Sequence, residues 1–130
     1  MVIVEVKTSD LIGISLDWAV AKACGMMPVT DHKVCRIIGF YLNNPPAHIP
    51  MSGHPFSPSN QWRDGGPLID EFRFCFDNAG EHGFSVVKDW YCGEPIAFYP
   101  HGKTHLIAAC RAIVAAKIGD TVSVPKELMQ

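Results

Sequence analysis

The chain has 130 residues, 48% of them hydrophobic and 18% charged. That length and apolar content fit one domain with its own core and exclude an intrinsically disordered segment. Eleven Lys and Arg against 13 Asp and Glu leave a net charge of −2, which disfavours a protein that works by displacing counterions from duplex nucleic acid. Five cysteines, at 24, 35, 75, 92 and 110, are odd in number and never stand at C-x-x-C spacing. They predict packed thiols in a reducing, cytoplasmic compartment, with no zinc ribbon and no disulfide framework. The start Met1-Val2-Ile3-Val4-Glu5-Val6-Lys7 lacks a signal-peptide pattern, and no stretch reaches the ~18 apolar residues of a membrane span.

Residues 2–7 predict a strand with Glu5 and Lys7 on one face, and Thr8, Ser9 and Asp10 offer N-caps to a helix from Leu11 to Cys24. Gly25 ends that helix. Val34 to Leu42 is strand-like. Residues 43–67 hold six of the ten prolines and three glycines, a composition that predicts a long loop, neither helix nor central strand. Leu68 to Phe76 predicts a strand through Ile69, Phe72, Phe74 and Phe76, and 78–83 a turn. Further strands are expected over Phe84–Cys92 and Ile96–Tyr99, a second helix from Thr104 to Ile118 ending at Gly119, and a short strand Val122–Val124. Together these predict a single α+β domain over residues 1–130. Its mainly antiparallel sheet has about five strands, with two helices packed on one face.

At 100° per residue the first helix leaves a narrow polar stripe, Ser15 and Lys22, and turns Asp17 toward the apolar side. The second helix sets Leu106, Cys110, Ile113, Val114 and Ile118 opposite Ala108, Ala112 and Ala115, a face that predicts close approach by the first helix, a loop or another chain. Arg111 borders the two faces. An Asp17–Arg111 ion pair between the helices follows as an expectation, either as a structural bridge or as a catalytic carboxylate with a shifted pKa.

Within the 43–67 segment, Ile49, Met51, Phe56 and Trp62 are apolar anchors. Trp62 is also the candidate binding platform, with Arg63 and Asp64 as polar readers and Gly65-Gly66 turning the chain. The same pattern also fits a loop that only covers an apolar sheet. His101 and His105 stand at H-x3-H spacing, yet Gly102 between them predicts a turn, so no metal site and no cofactor are expected.

Three segments are similar to the phage NinX-like family of small tailed-bacteriophage and prophage proteins. They are Leu16-Asp17-Trp18-Ala19-Val20-Ala21, Phe56-Ser57-Pro58-Ser59-Asn60-Gln61-Trp62 with Gly65-Gly66-Pro67-Leu68-Ile69, and Leu106-Ile107-Ala108-Ala109-Cys110-Arg111 through Lys117-Ile118-Gly119-Asp120. Gln61 stands where the family tends to carry an acidic residue, Cys110 where it tends to carry an apolar one, and 43–53 resembles an insertion. The resemblance implies the cytoplasm of an infected bacterium and no assigned activity. Its motif residues are Asp17, Trp18, Trp62, Gly65, Gly66 and Arg111. The expectation is an accessory protein that binds a host or phage protein, with a homo-oligomer through the alanine face as a further possibility. The alternative is a small enzyme or ligand-binding protein. Its pocket would lie between the Trp62 loop and the helices, with Asp17, Arg111 and one of His101 or His105 as its polar groups.

Overall fold

The computed structural model describes residues 2–31, 36–43, 46–50, 56–78, 80–87, 90–91, 94–95 and 101–129. In chain order its elements are β1 (Ile3–Lys7), α1 (Gly13–Ala23), β2 (Met27–Asp31), β3 (Arg36–Asn43), β4 (Pro46–Pro50), α2 (Trp62–Phe72), β5 (Cys75–Asn78), β6 (Phe84–Val87), β7 (Trp90–Tyr91), β8 (Glu94–Pro95), α3 (His105–Lys117) and β9 (Thr121–Pro125). Helix and strand are mixed as expected. The described strands, however, form four small antiparallel sheets (β1-β9, β2-β3-β4, β5-β6 and β7-β8), and the described residues hold three α-helices, not two.

The first and last strands close the domain, pairing from Ile3 with Pro125 to Lys7 with Thr121. Alternation orients them. Val122 and Val124 turn inward, while Ile3, Glu5, Lys7, Thr121 and Ser123 are exposed. α1 and α3 pack on each other and carry the first core cluster of Leu11, Leu16, Ala19, Val20, Cys110, Val114, Val122 and Val124. α3 also supplies a second cluster, in which Ala108, Ala109, Ala112 and Ile113 meet Phe74 and Val86, with Leu68, Ile69 and Phe72 alongside. Burial on both sides explains why α3 has no broad polar face. Ala108 and Ala112 are small because β6 and the end of α2 lie close and bury them within the chain, while Ala115 is half-buried.

The capping expectation for α1 is corrected. Thr8–Asp10 form a 3-10 turn and the N-cap is Ile12, with no side-chain cap. The Thr8 hydroxyl instead donates to the Gly119 carbonyl at 2.6 Å, tying the start of α1 to the end of α3. α3 does have its cap: Thr104 Oγ1 accepts from the Ile107 amide at 3.1 Å. Ile118, expected on its apolar arc, is exposed.

The largest departure lies in the proline-rich segment. β3 runs to Asn43, Pro46–Pro50 is an edge strand paired with it, and α2 begins at Trp62. Prolines 46 and 50 fit there because a missing N–H is tolerated at a sheet edge. α2 then continues to Phe72, where a strand was expected, with Gly65, Gly66 and Pro67 inside it. Leu68, Ile69 and Phe72 recur at helical spacing and face the core. Arg73, in the left-handed region at φ 55°, ends the helix, so that the strand begins only at Cys75. β2 is an element the composition did not predict, and Ile96–Tyr99 falls outside the described residues.

Candidate functional site

The turn between Phe56 and Trp62 connects the three helices. The Ser57 carbonyl accepts the amides of Asn60 and Gln61, and the Gln61 carbonyl accepts those of Asp64 and Gly65, so the turn leads directly into α2. Two carboxylates bind alternate amides of this turn. Asp64 Oδ2, in the first turn of α2, accepts from Ser57 N at 2.9 Å. Asp17 Oδ1, from α1, accepts from Ser59 N at 2.8 Å. Phe56 is the apolar anchor that was expected, packing with Ile14, Trp18 and Met26 around Ala21 of α1.

Gly65 seats the turn on α3. A Cβ built there would stand 2.3 Å from the Pro58 carbonyl oxygen and 2.7 Å from Leu106 Cδ2, so the residue is a glycine for lack of room. At Gly66 a Cβ would meet only Trp62 Cε3, at 3.5 Å, an ordinary contact. Two neighbouring glycines thus differ in what they do. The first allows close approach; the second lies under the tryptophan.

Asp17 is 3% exposed and Ser59 likewise 3%. Burial pushes the Asp17 carboxyl up from 3.8 to about 6, with the Asp64 charge acting in the same direction and the Ser59 and Ser57 groups opposing. The expected Asp17–Arg111 pair does not form. Arg111 Nε donates to the Leu11 carbonyl at 3.0 Å and Nη1 to the His101 carbonyl at 2.6 Å. Its guanidinium therefore links the entry of α1 to the segment before α3. Burial lowers the Arg111 pKa, and Asp10 partly offsets this. The physical reason for the correction is local: a backbone amide reaches the Asp17 carboxylate, and two carbonyls occupy the guanidinium.

Trp62 is not an anchor. It is 60% exposed on the first turn of α2. Its ring lies 6.4 Å from His105, which in turn stacks on Phe84 at 3.8 Å and meets Phe76 edge-on at 4.8 Å. α2, β5, β6 and the first turn of α3 thus bring four rings together. Gly102 pairs with Phe84 through both backbone bonds, at 2.8 and 2.9 Å, so 101–104 is not helical and His101 and His105 do not share a helical face. Arg63 is exposed beside Trp62, whereas Asp64 is engaged by the turn and by Arg63 at 3.4 Å. Trp18 is half-buried, with Lys22 Nζ over its ring at 5.2 Å. A surface hollow of about 370 Å³ lies elsewhere, lined by Glu5, Lys22, Ile118, Thr121, Val122 and Ser123, none of them a motif residue.

Sequence reasoning singled out Asp17, Trp62, Gly65, Gly66 and Arg111, but not Ser57, Ser59, Phe76 or Phe84 as parts of the site. The serines reach the two carboxylates through backbone amides and, at Asp17, through their hydroxyls as well, and tertiary folding sets which carboxylate each one meets. The phenylalanines reach the site only through tertiary folding.

A family model described as bacteriophage P22 NinX matches residues 7–117, a span that contains every one of these residues. The chain belongs to that family. Membership makes it a phage accessory protein. No curated protein matches it. The three NinX-like segments are the ones that meet here: Asp17 from the first, Ser57 to Gly65 from the second, and Leu106 from the third. No described helix is long and apolar enough to cross a membrane.

Proposed function

We propose that this NinX-family chain acts by binding a host or phage protein through the aromatic face at Trp62, in the cytoplasm of the infected bacterium. The observation that carries the reading is the exposure of Trp62, 60%, on a helix whose preceding turn is fixed by two carboxylates. A large ring held by rigid backbone loses little conformational freedom on binding, which is why tryptophan and arginine dominate binding hot spots. His105, Phe76 and Phe84 extend the apolar surface beside it, and Arg63 gives its rim a cation. The compartment is supported by Cys24, Cys75 and Cys110, which stand as free thiols.

The enzyme reading needs Asp17 and Arg111 to converge on one pocket with Trp62. Asp17 is instead bonded to Ser59, and Arg111 to Leu11 and His101. What the geometry supports is architecture beneath and recognition above.

The test is site-specific photo-crosslinking in infected cells. A crosslinking amino acid at Arg63 is expected to trap one discrete host or phage protein that the same group at Ile12, 57% exposed and outside the aromatic face, does not trap. A trapped species containing only a second copy of this chain, or the same products from both positions, counts against the reading.

A further inference from the structure

Asp17 is a buried carboxylate, 3% exposed, and the neighbouring Asp64 side chain is nearly as covered. The surroundings offer Asp17 no cation among the described residues. From α2 it faces Asp64, which shares its sign, binds the same turn two residues earlier and is paired with Arg63 at 3.4 Å. From α3 it faces the buried Cys110 thiol, whose pKa burial pushes well up so that it stays neutral. β9 presents Val122 and Val124 to the same core. Ser59 donates its amide to Oδ1, and the Ser59 and Ser57 hydroxyls also bond the carboxylate. A carboxylate in that setting is more costly in its charged form than in its neutral one.

We propose that Asp17 and Asp64 form a proton latch beneath the Trp62 face, in which uptake of one proton by the Asp17 carboxylate seats the Ser57–Trp62 turn more firmly on α1. The proton comes from solvent and converts carboxylate to carboxylic acid with no other bond made or broken. The Ser59 amide keeps an acceptor, because the acid's carbonyl oxygen still takes its N–H. The Ser59 and Ser57 donors bind the charged form more strongly, but what disappears on protonation, the buried charge and its repulsion with Asp64, outweighs that loss. Burial has already brought the Asp17 carboxyl to about 6, within reach of mild acidification. As regulation of binding the latch rests on the function proposed above; as a property of the fold it is read without any partner.

The experiment uses the full chain carrying 5-fluorotryptophan, with the Trp62 fluorine resonance assigned by Trp62→Phe. Between about pH 7.5 and about pH 5 that resonance is expected to shift with a midpoint near 6. His105 is the competing source, since its ring lies 6.4 Å from Trp62. The inflection is therefore expected to survive in His105→Asn and to vanish in Asp17→Asn. A resonance that does not move, or an inflection lost in His105→Asn and kept in Asp17→Asn, overturns the latch. The carboxyl-carbon resonance of Asp17 in the unsubstituted protein decides the matter if Asp17→Asn does not fold. A midpoint near 6 supports the latch, and one at the ordinary 3.8 overturns it. Failure of the crosslinking experiment leaves this result untouched, so the two proposals fall separately.

Discussion

Asp17 holds the backbone amide of Ser59 at 2.8 Å across 42 positions of sequence, and that bond joins the first NinX-like segment to the second. Gly65 joins the second to the third by letting Pro58 and Leu106 close on it. The motif is thus a three-helix junction with Trp62 on its outer surface.

Asp17 separates two substitutions cleanly. Asp17→Ala removes the acceptor and leaves a buried N–H unsatisfied, at a cost of about 1–3 kcal/mol. Asp17→Asn keeps an acceptor oxygen and removes the charge. The native carboxyl is raised to about 6 from 3.8, so the folded state binds the extra proton. Its stabilising contribution is therefore present below the unfolded value and lost as pH rises through about 6. Relative to wild type, Asp17→Asn is expected to gain about 3 kcal/mol between a pH below the unfolded carboxyl value and neutral pH. Urea unfolding of the three proteins at both ends of that range measures it; a difference that does not change with pH contradicts the burial of the charge.

Neighbouring glycines are expected to respond unequally. Gly65→Ala forces a Cβ against the Pro58 carbonyl and destabilises by about 1–3 kcal/mol. Gly66→Ala meets the Trp62 ring edge only at an ordinary contact distance, and with Pro67 next in the helix limiting any gain it is expected to stay within about 0.5 kcal/mol of wild type. Thermal unfolding of the pair checks this, and equal effects would sink the close-approach account.

Arg111 is expected to behave as a structural clamp. Arg111→Ala leaves the Leu11 and His101 carbonyls without their donor and costs about 1–3 kcal/mol. Arg111→Lys, with one compact ammonium in place of a fork, recovers part of the loss. Urea midpoints of both variants measure this. If Arg111→Ala unfolds at the wild-type midpoint, the two bonds contribute nothing to the fold.

Both terminal helices were legible in the sequence, because α1 and α3 carry long apolar patterns bounded by Gly25, Thr104 and Gly119. α2 was not, because Gly65-Gly66-Pro67 are strong local breakers. Tertiary contacts override them: Gly65 gains the approach to Leu106, and Leu68, Ile69 and Phe72 bury one face against Phe74 and Ile113. A helical template was present in the spacing of positions 65, 68, 69 and 72, in competition with the alternation of Phe72, Phe74 and Phe76. Asp17 was legible as buried and Arg111 as bordering two faces, yet the partners of Arg111 are backbone carbonyls and those of Asp17 are the amide and hydroxyls of a turn 40 or more residues on, which a sequence does not position.

Trp62 carries the central claim, that this motif supports the fold from below and recognises a protein from above. The direct measurement is Trp62→Ala, assayed in one preparation for unfolding midpoint and for capture of the crosslinked partner through Arg63. Because the ring is 60% exposed, stability is expected to stay within about 1 kcal/mol of wild type. Capture is expected to fall by about tenfold or more, as loss of a hot-spot ring does. A variant that is equally stable and captures the partner at the wild-type level contradicts the account.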